Sequence, residues 1–367
     1  MEKDTVVNIK IEKAATSRIN EVDFSNLNFG SVFTDHMFIC DYKNGNWQEP
    51  TIVPYQKLSM DPSAKVFHYG QAVFEGMKAY KDEQDEVWLF RPDENFHRIN
   101  KSSARLAIPE FPEEYFFEGL KQLLKLDKQW IKKGFGNSLY IRPFVIATEA
   151  GVSASPSSEY KFIIICSPAQ AYYAGEVRVK IADHYSRSAS GGFGFAKAAG
   201  NYAGQFYPTS LANQEGFQQV IWTDSNTHEY LEEAGTMNVF FRIGDKLITC
   251  PISDRILDGV TRKSVIQVAK DLGIEVEIRP IKVAEIIEAA KNNQLKEIFG
   301  SGTAAVINPI LGFGYKGEKW ELPKLENSYA ATIKNTILGI QYNTIEDKYN
   351  AFKSDLTHCD SGGKSKP

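Results

Sequence analysis

A single lysine, Lys197, stands in the run Ser190-Gly-Gly-Phe-Gly-Phe-Ala-Lys-Ala-Ala-Gly-Asn-Tyr202, with Gly191, Gly192 and Gly194 before it and Ala198, Ala199 and Gly200 after. Residues this small leave clearance for a flat ligand to press against the backbone. An amine that loses hydration in such a place favours its neutral, nucleophilic form. Alone, the run reads first as a flexible surface loop carrying an ordinary lysine. Other residues must change that reading.

The helical pattern after Arg91-Pro-Asp93 puts Phe96, Ile99, Ser103 and Leu106 on one face with Arg98 beside it; a solvated flank or a structural ion pair is the ordinary role there. Ser138–Ala147 has the β-branched and aromatic content of a strand. Period two sets Tyr140 and Arg142 on one face, opposite Leu139 and Ile141. That polar face is either the wall of an anion-binding cleft or one side of a salt bridge to a neighbouring strand. Glu232 and Glu233 are adjacent in a strand and must point to opposite faces, so one of them turns inward. Asp258-Gly-Val-Thr261 opens a helix that continues through Val265, Val268, Ala269 and Leu272 and stops at Gly273. With Gly259 allowing close approach and a hydroxyl at Thr261, its N-terminus is a ready anion site, although many helices begin this way without a ligand. Gly300-Ser-Gly-Thr-Ala-Ala305 matches a dinucleotide fingerprint, but Asn308-Pro309 cuts off the helix which that fingerprint requires.

The elements that must hold these residues follow from pattern and punctuation. Phe29–Cys40 alternates as a strand, Asn44-Gly45 is a hairpin turn, and Asp82–Glu86 joins a hairpin that returns as Val87–Phe90. Asp93 is the expected cap of the Arg98 helix, and a second helix covers 114–133. Lys161–Cys166 is a buried strand, and the aperiodic 167–176 reads as a linker. Val177–Ile181 and Gln219–Asp224 are strands, and Leu231–Arg242 reads as one more. Asn201 is the expected cap of a helix through Phe206, Leu211 and Gln214, which Pro208 must kink or distort. Helix 283–291 follows; beyond Trp320 the pattern fades, and Ser361–Pro367 reads as a disordered tail.

Composition narrows the classes. With 367 residues, 43% hydrophobic and 24% charged, the chain has length for two globular domains. A net charge of −4 argues against nucleic acid or an anionic membrane as partner. Four scattered cysteines without C-x-x-C spacing, and six histidines without H-x-x-x-H, indicate neither a disulfide framework nor a metal site. No signal core or 18-residue apolar run is present, so a cytoplasmic location is expected.

A lysine, an arginine on a helix, two small-residue anion loops, a tyrosine five residues past the lysine and an inward glutamate together make the inventory that pyridoxal 5′-phosphate requires. The order of these motifs resembles the branched-chain amino-acid aminotransferases, of the fold-type IV pyridoxal-phosphate enzymes. The resemblance runs from about Phe29 to Trp320. It rests on Phe29-Gly-x-Val-Phe-Thr-Asp-His-Met37, His68-Tyr-Gly with Phe74-Glu-Gly-Met-Lys78, Leu89-Phe-Arg-Pro92 followed by Arg98, and Leu139-Tyr-Ile-Arg-Pro143. It continues through Lys197 with Gly200-Asn-Tyr202, Glu233-Ala-Gly-Thr-Met-Asn238, Leu257-Asp-Gly-Val-Thr-Arg262 and Gly300-Ser-Gly-Thr-Ala304. Each motif is modest; eight in order are specific.

The resemblance implies an α/β protein of two α+β domains: residues 1–166, a linker at 167–176, a larger C-terminal domain with a mostly antiparallel or mixed sheet over 177–355, and a tail from 356. The site is expected between the domains of a homodimer, with the 68–78 segment reaching across. Lys197 is then the catalytic residue, bonding the cofactor and shuttling protons. Glu233 meets the pyridine nitrogen and Tyr202 the phenolic oxygen, while Arg98, the amides of Val260 and Thr261, and Thr303 hold the phosphate. Phe29, Tyr69 and Phe74 line an apolar pocket with Thr236 and Ala304, and Tyr140 and Arg142 face a substrate carboxylate. The implied reaction is transamination between leucine, isoleucine or valine and 2-oxoglutarate, amino and 2-oxo acids being the partners. A D-amino-acid aminotransferase, an aminodeoxychorismate lyase, and a binding protein without chemistry are the other readings. Two departures stand out: Ala305 and Asn308 occupy the places of a redox C-x-x-C found in some eukaryotic relatives, and the glycine pair after the lysine is Ala199-Gly200.

Overall fold

The computed structural model describes residues 7–170, 176–349 and 353–355. Its contacts divide the chain into Met1–Ala171 with Ile340–Pro367, and Tyr172–Gly339. This differs from the expected partition in two ways. Strand Tyr160–Ala169 runs past Cys166 because it pairs along its length with Ser138–Ala147. Strand Lys353–Asp355 pairs antiparallel with Val87–Phe90, so the chain end belongs to the first unit, which is the longer one. Residues 171–175 of the expected linker, and the expected tail from 356, lie outside the described residues.

The first unit holds a sheet of ten strands among the described residues, antiparallel except where Lys10–Ile11 meets Thr51–Pro54. Ser138–Ala147 has the expected bounds, and its burial alternates, with Leu139 and Ile141 buried and Tyr140 and Arg142 half-buried. Strand His36–Lys43 starts seven residues later than the alternation from Phe29 suggests. Asn44 and Gly45 both take positive φ, 53° and 79°, the backbone of the tight turn expected there. Helix Pro92–Arg105 places Pro92 at its first position and Arg91 in the left-handed region at the cap, so Asp93 lies inside the first turn and does not cap it. Helix Glu113–Leu126 ends earlier than expected and gives way to a 3-10 turn, Lys128–Trp130. It packs closely on His36–Lys43 because Gly119 has no Cβ; one would stand 2.3 Å from the Phe38 ring.

The second unit holds a mixed sheet of nine strands among the described residues. Val177–Ile181 runs parallel to both Gln219–Thr223 and Val306–Tyr315. The single strand expected over Leu231–Arg242 is two, Leu231–Ala234 and Asn238–Ile243. The chain reverses at Gly235, where φ is +51° and a Cβ would strike the Gln219 side chain. Leu295–Gly302 pairs antiparallel with Val306–Tyr315, so the glycine fingerprint is a strand-turn-strand and opens no helix. After the lysine the chain forms two helices, Ala199–Ala203 and Phe206–Gln214. Pro208 lies in the first turn of the second, where an N–H has no intrahelical acceptor to lose. Helix Tyr329–Gln341 carried no signal recognised in the sequence. Among the described residues no helix is long and apolar enough to cross a membrane.

Candidate active site

The second unit gathers the lysine, the tyrosine and the inward glutamate. Lys197 is half-buried, and its Nζ donates to the Tyr202 hydroxyl at 2.8 Å. The loop before it is not slack. Asn201, expected as a cap, lies inside the short helix and turns its amide back, donating to the carbonyls of Phe193 at 2.8 Å and Ala196 at 2.9 Å. Gly194 backs against Arg255, where a Cβ would lie 2.4 Å from the carbonyl oxygen. These contacts hold the amine in place, which an ordinary surface lysine does not need.

Both glutamates on strand Leu231–Ala234 are buried, on opposite faces, whereas one was expected. Glu232 accepts a hydrogen bond from Arg255 Nε. Burial pushes its carboxyl up, and Arg255 opposes the shift. Burial pushes Glu233 up to about 7, against the pull of Arg187, the Leu257 amide and Lys197. Arg187 Nη1 stands 2.7 Å from Glu233 Oε1, yet that oxygen accepts no hydrogen bond among the described residues.

The remaining residues of this unit frame the same strand end. Asn238 donates to the Leu257 carbonyl, and its side chain fills the space where a Gly259 Cβ would stand, 2.0 Å from Oδ1. Gly259 therefore makes room for Asn238, and the helix Val260–Asp271 starts there with Val260 and Thr261 buried in its first turn. Their amides are among the four that have no intrahelical acceptor. Thr303 and Ala304 form the turn after Leu295–Gly302, half-buried, and Thr236 is exposed on the neighbouring turn. Met237 packs over Gly300.

In the first unit, Phe29, Phe74, Tyr140 and Arg142 come together. The Phe29 and Tyr140 rings meet edge-on at 4.9 Å. Arg142 lies over the rings of Phe74 and Tyr140 and donates to the Tyr140 hydroxyl at 3.0 Å. Its Nε is buried and makes no hydrogen bond among the described residues. Gly76 makes space for Tyr140, since a Cβ there would stand 2.2 Å from the hydroxyl. Arg98 is gripped by Glu75, Nε to Oε1 at 2.6 Å and Nη2 to Oε2 at 2.8 Å, and Asn95 donates to the same carboxylate. Tyr69 stands on the short helix Lys65–Tyr69, half exposed, and donates to the Val152 carbonyl.

Sequence pattern assigns no role to Arg187 or Glu75. Glu75 carried a signal, an acid inside the apolar run from Ala72 to Met77. Arg187 carried none, lying in the polar stretch Asp183-His-Tyr-Ser-Arg-Ser188.

The residues present fit pyridoxal phosphate on one structural point above others. A buried carboxylate oxygen without a donor is costly, and a protonated pyridine nitrogen is a donor that Glu233 Oε1 lacks. The comparisons agree with that chemistry. Residues 72–313 match the family of class IV amino-transferases, and the chain is one of them. It is 45% identical over 346 residues to branched-chain-amino-acid aminotransferase 2 of Bacillus subtilis (strain 168), covering 93% of this chain and 95% of the relative. The chain therefore belongs to the branched-chain-amino-acid aminotransferases. Its fold is similar to the branched-chain amino acid aminotransferase of Escherichia coli, with a TM-score of 0.69, 25% identity and coverage of 85% and 98% of the two chains. The enzyme of Thermobaculum terrenum, solved in its PLP-bound holo form, matches with a TM-score of 0.72 at 20% identity, over 87% of this chain and 98% of that one.

Proposed function

We propose that the protein catalyses reversible transamination of L-leucine, L-isoleucine and L-valine with 2-oxoglutarate, giving the branched-chain 2-oxo acids and L-glutamate, with pyridoxal 5′-phosphate as cofactor. The observation that carries this reading is the buried, donorless oxygen of Glu233 in one cluster with Lys197 and Tyr202. Pyridoxal phosphate, when bound, supplies an aldehyde that condenses with amines and a ring that spreads the charge left by a departing proton. Lys197 takes that proton from the substrate Cα and returns one on the other side of the reaction. Glu233 keeps the proton on the ring nitrogen. Tyr202 hydrogen-bonds the ring's phenolic oxygen, beside the lysine amine. The Val260 and Thr261 amides, Thr303 and Arg98 hold the phosphate.

Substrate choice asks one pocket to take leucine and glutamate alike. Phe29, Phe74 and the Tyr140 ring give the apolar wall, and Tyr69, Thr236 and Ala304 are assigned to the same pocket. Arg142 can serve both substrates, because it rests on Phe74 and Tyr140 while keeping a buried Nε–H in reserve for a carboxylate. Arg142→Met is expected to lower kcat/KM for 2-oxoglutarate by about a hundredfold, in the range of one charge-assisted pair, and for leucine by less than about tenfold. Steady-state kinetics with each substrate varied checks this, and equal losses would sink the assignment.

Phe67, Tyr69 and Val152 are exposed at 62%, 46% and 65%, and the Tyr69 hydroxyl donates to the Val152 carbonyl. A homodimer is the proposed state, and sedimentation equilibrium is expected to return twice the chain mass; a monomer at micromolar concentration would refute it. The buried free thiols Cys40, Cys166 and Cys250 suit a reducing cytoplasm, to be checked by fractionation. The whole reading is tested by a panel of L-leucine, D-alanine and 4-amino-4-deoxychorismate. Turnover of L-leucine is expected, and preference for either of the others would overturn it.

A further inference from the structure

Arg187 is almost sealed from solvent, with 2% of its side chain exposed. Its Nη1 touches Glu233 Oε1 at 2.7 Å but spends its two hydrogens elsewhere, on the carbonyls of Gly194 at 3.0 Å and Arg255 at 3.2 Å. The contact with Glu233 is therefore charge against charge and carries no hydrogen bond. The neighbouring glutamate shows the usual alternative, since Glu232 takes a direct hydrogen bond from Arg255. A guanidinium that donates in this way stabilises a carboxylate and occupies its lone pairs at once. Arg187 does only the first.

We propose that Arg187 is a positioning residue for transamination: its charge keeps Glu233 ionised, while the commitment of its Nη1 hydrogens to two carbonyls leaves the carboxylate lone pair open for the protonated ring nitrogen. This rests on Glu233 being the partner of that nitrogen. In a sealed site, a carboxylate and a pyridine sharing one proton drift toward the neutral pair, with the proton on the carboxyl, because separated charges are poorly solvated there. The ring would then lose its pull on electrons. A cation in contact with the carboxylate reverses the preference.

The groups facing Glu233 are few. Arg187, Lys197 and the Leu257 amide favour its ionised form, and Glu232 opposes it. Glu232 is itself paired with Arg255, and Lys197 gives up its free amine when it bonds the cofactor. Arg187 is the lasting positive charge. It also ties down Gly194, three residues before Lys197, so a merely structural role has to be separated from the electrostatic one.

The test compares Arg187→Lys, Arg187→Gln and Arg187→Met with Glu233→Gln, each as holoenzyme. Three quantities are read: the pH midpoint of the bound cofactor's visible absorbance, the split between kcat and KM, and the melting temperature. Loss of charge in the Gln and Met variants is expected to move the midpoint up by about one pH unit and to cut kcat about tenfold or more at neutral pH, with KM within about threefold. The Lys variant, which keeps the charge, should stay near the parent in both. A structural role alone would lower the melting temperature and leave the midpoint in place, which overturns the proposal. So does a Gln variant that matches the parent, and that comparison stands even if Arg187→Met does not fold. Glu233→Gln keeps the two ideas apart. If it changes neither kcat nor midpoint, the reading of Glu233 itself has failed. If it changes both and the Arg187 variants change neither, only the present proposal falls.

Discussion

Replacing Lys197 by alanine is expected to lower kcat by roughly 10⁴-fold or more, the combined loss of the nucleophilic amine and the proton carrier. The fold should survive. Lys197 is half-buried, its amine donates to a tyrosine hydroxyl, and the loop is held by Asn201 and by Arg187 on Gly194, not by the amine. The variant should therefore still melt cooperatively and still take up pyridoxal phosphate, but borohydride should no longer fix the cofactor to the chain. Mass spectrometry of reduced parent protein should find the label on Lys197. Other lysines are poor substitutes: Lys65 is committed to Glu149, Ser155 and the Pro156 carbonyl, and Lys81 to the Lys128 carbonyl. A variant that keeps more than about one hundredth of the parent rate would mean that another base does the work.

How much of this was legible from sequence depends on whether the partner was near in the chain. Ser138–Ala147 was, because alternation is a local property and the strand carries it without interruption. The opposite orientation of Glu232 and Glu233 was, because period two forces it. That both are buried was not, since each needs an arginine from a distant loop: Arg255 for one, Arg187 for the other. Asn201 departs from its expected role for a related reason. Asparagine is a good cap, but here its amide finds two loop carbonyls that no cap rule anticipates. Pro208 is disruptive only if the residues from Asn201 to Gln214 form one helix; with a break at Gly204 and Gln205 it sits where proline is tolerated. The return of Lys353–Asp355 to the first sheet is a long-range pairing of a three-residue strand, too short to show a period.

Glu75→Ala is expected to be the most destabilising single change among these residues. The Glu75 carboxylate is fully buried and accepts from Arg98 Nε and Nη2, from Asn95 and from the Gly76 amide. Removing it takes two hydrogen bonds from a guanidinium that is itself 9% exposed, and breaking a buried pair from one side costs about 3–5 kcal/mol. For a protein of this size the melting temperature should fall by roughly 10 °C. Removing both charges is a different matter, because the desolvation cost goes with them; the double variant Glu75→Ala, Arg98→Met should recover much of the loss. Cofactor binding separates the structural pair from its proposed use. If Arg98 holds the phosphate, the single variant should regain stability when inorganic phosphate or pyridoxal phosphate is added, since either anion can replace the lost negative charge. The double variant should bind pyridoxal phosphate weakly despite its restored stability. A Glu75→Ala protein that is indifferent to both anions would leave the pair as a fold element alone and would remove Arg98 from the phosphate site.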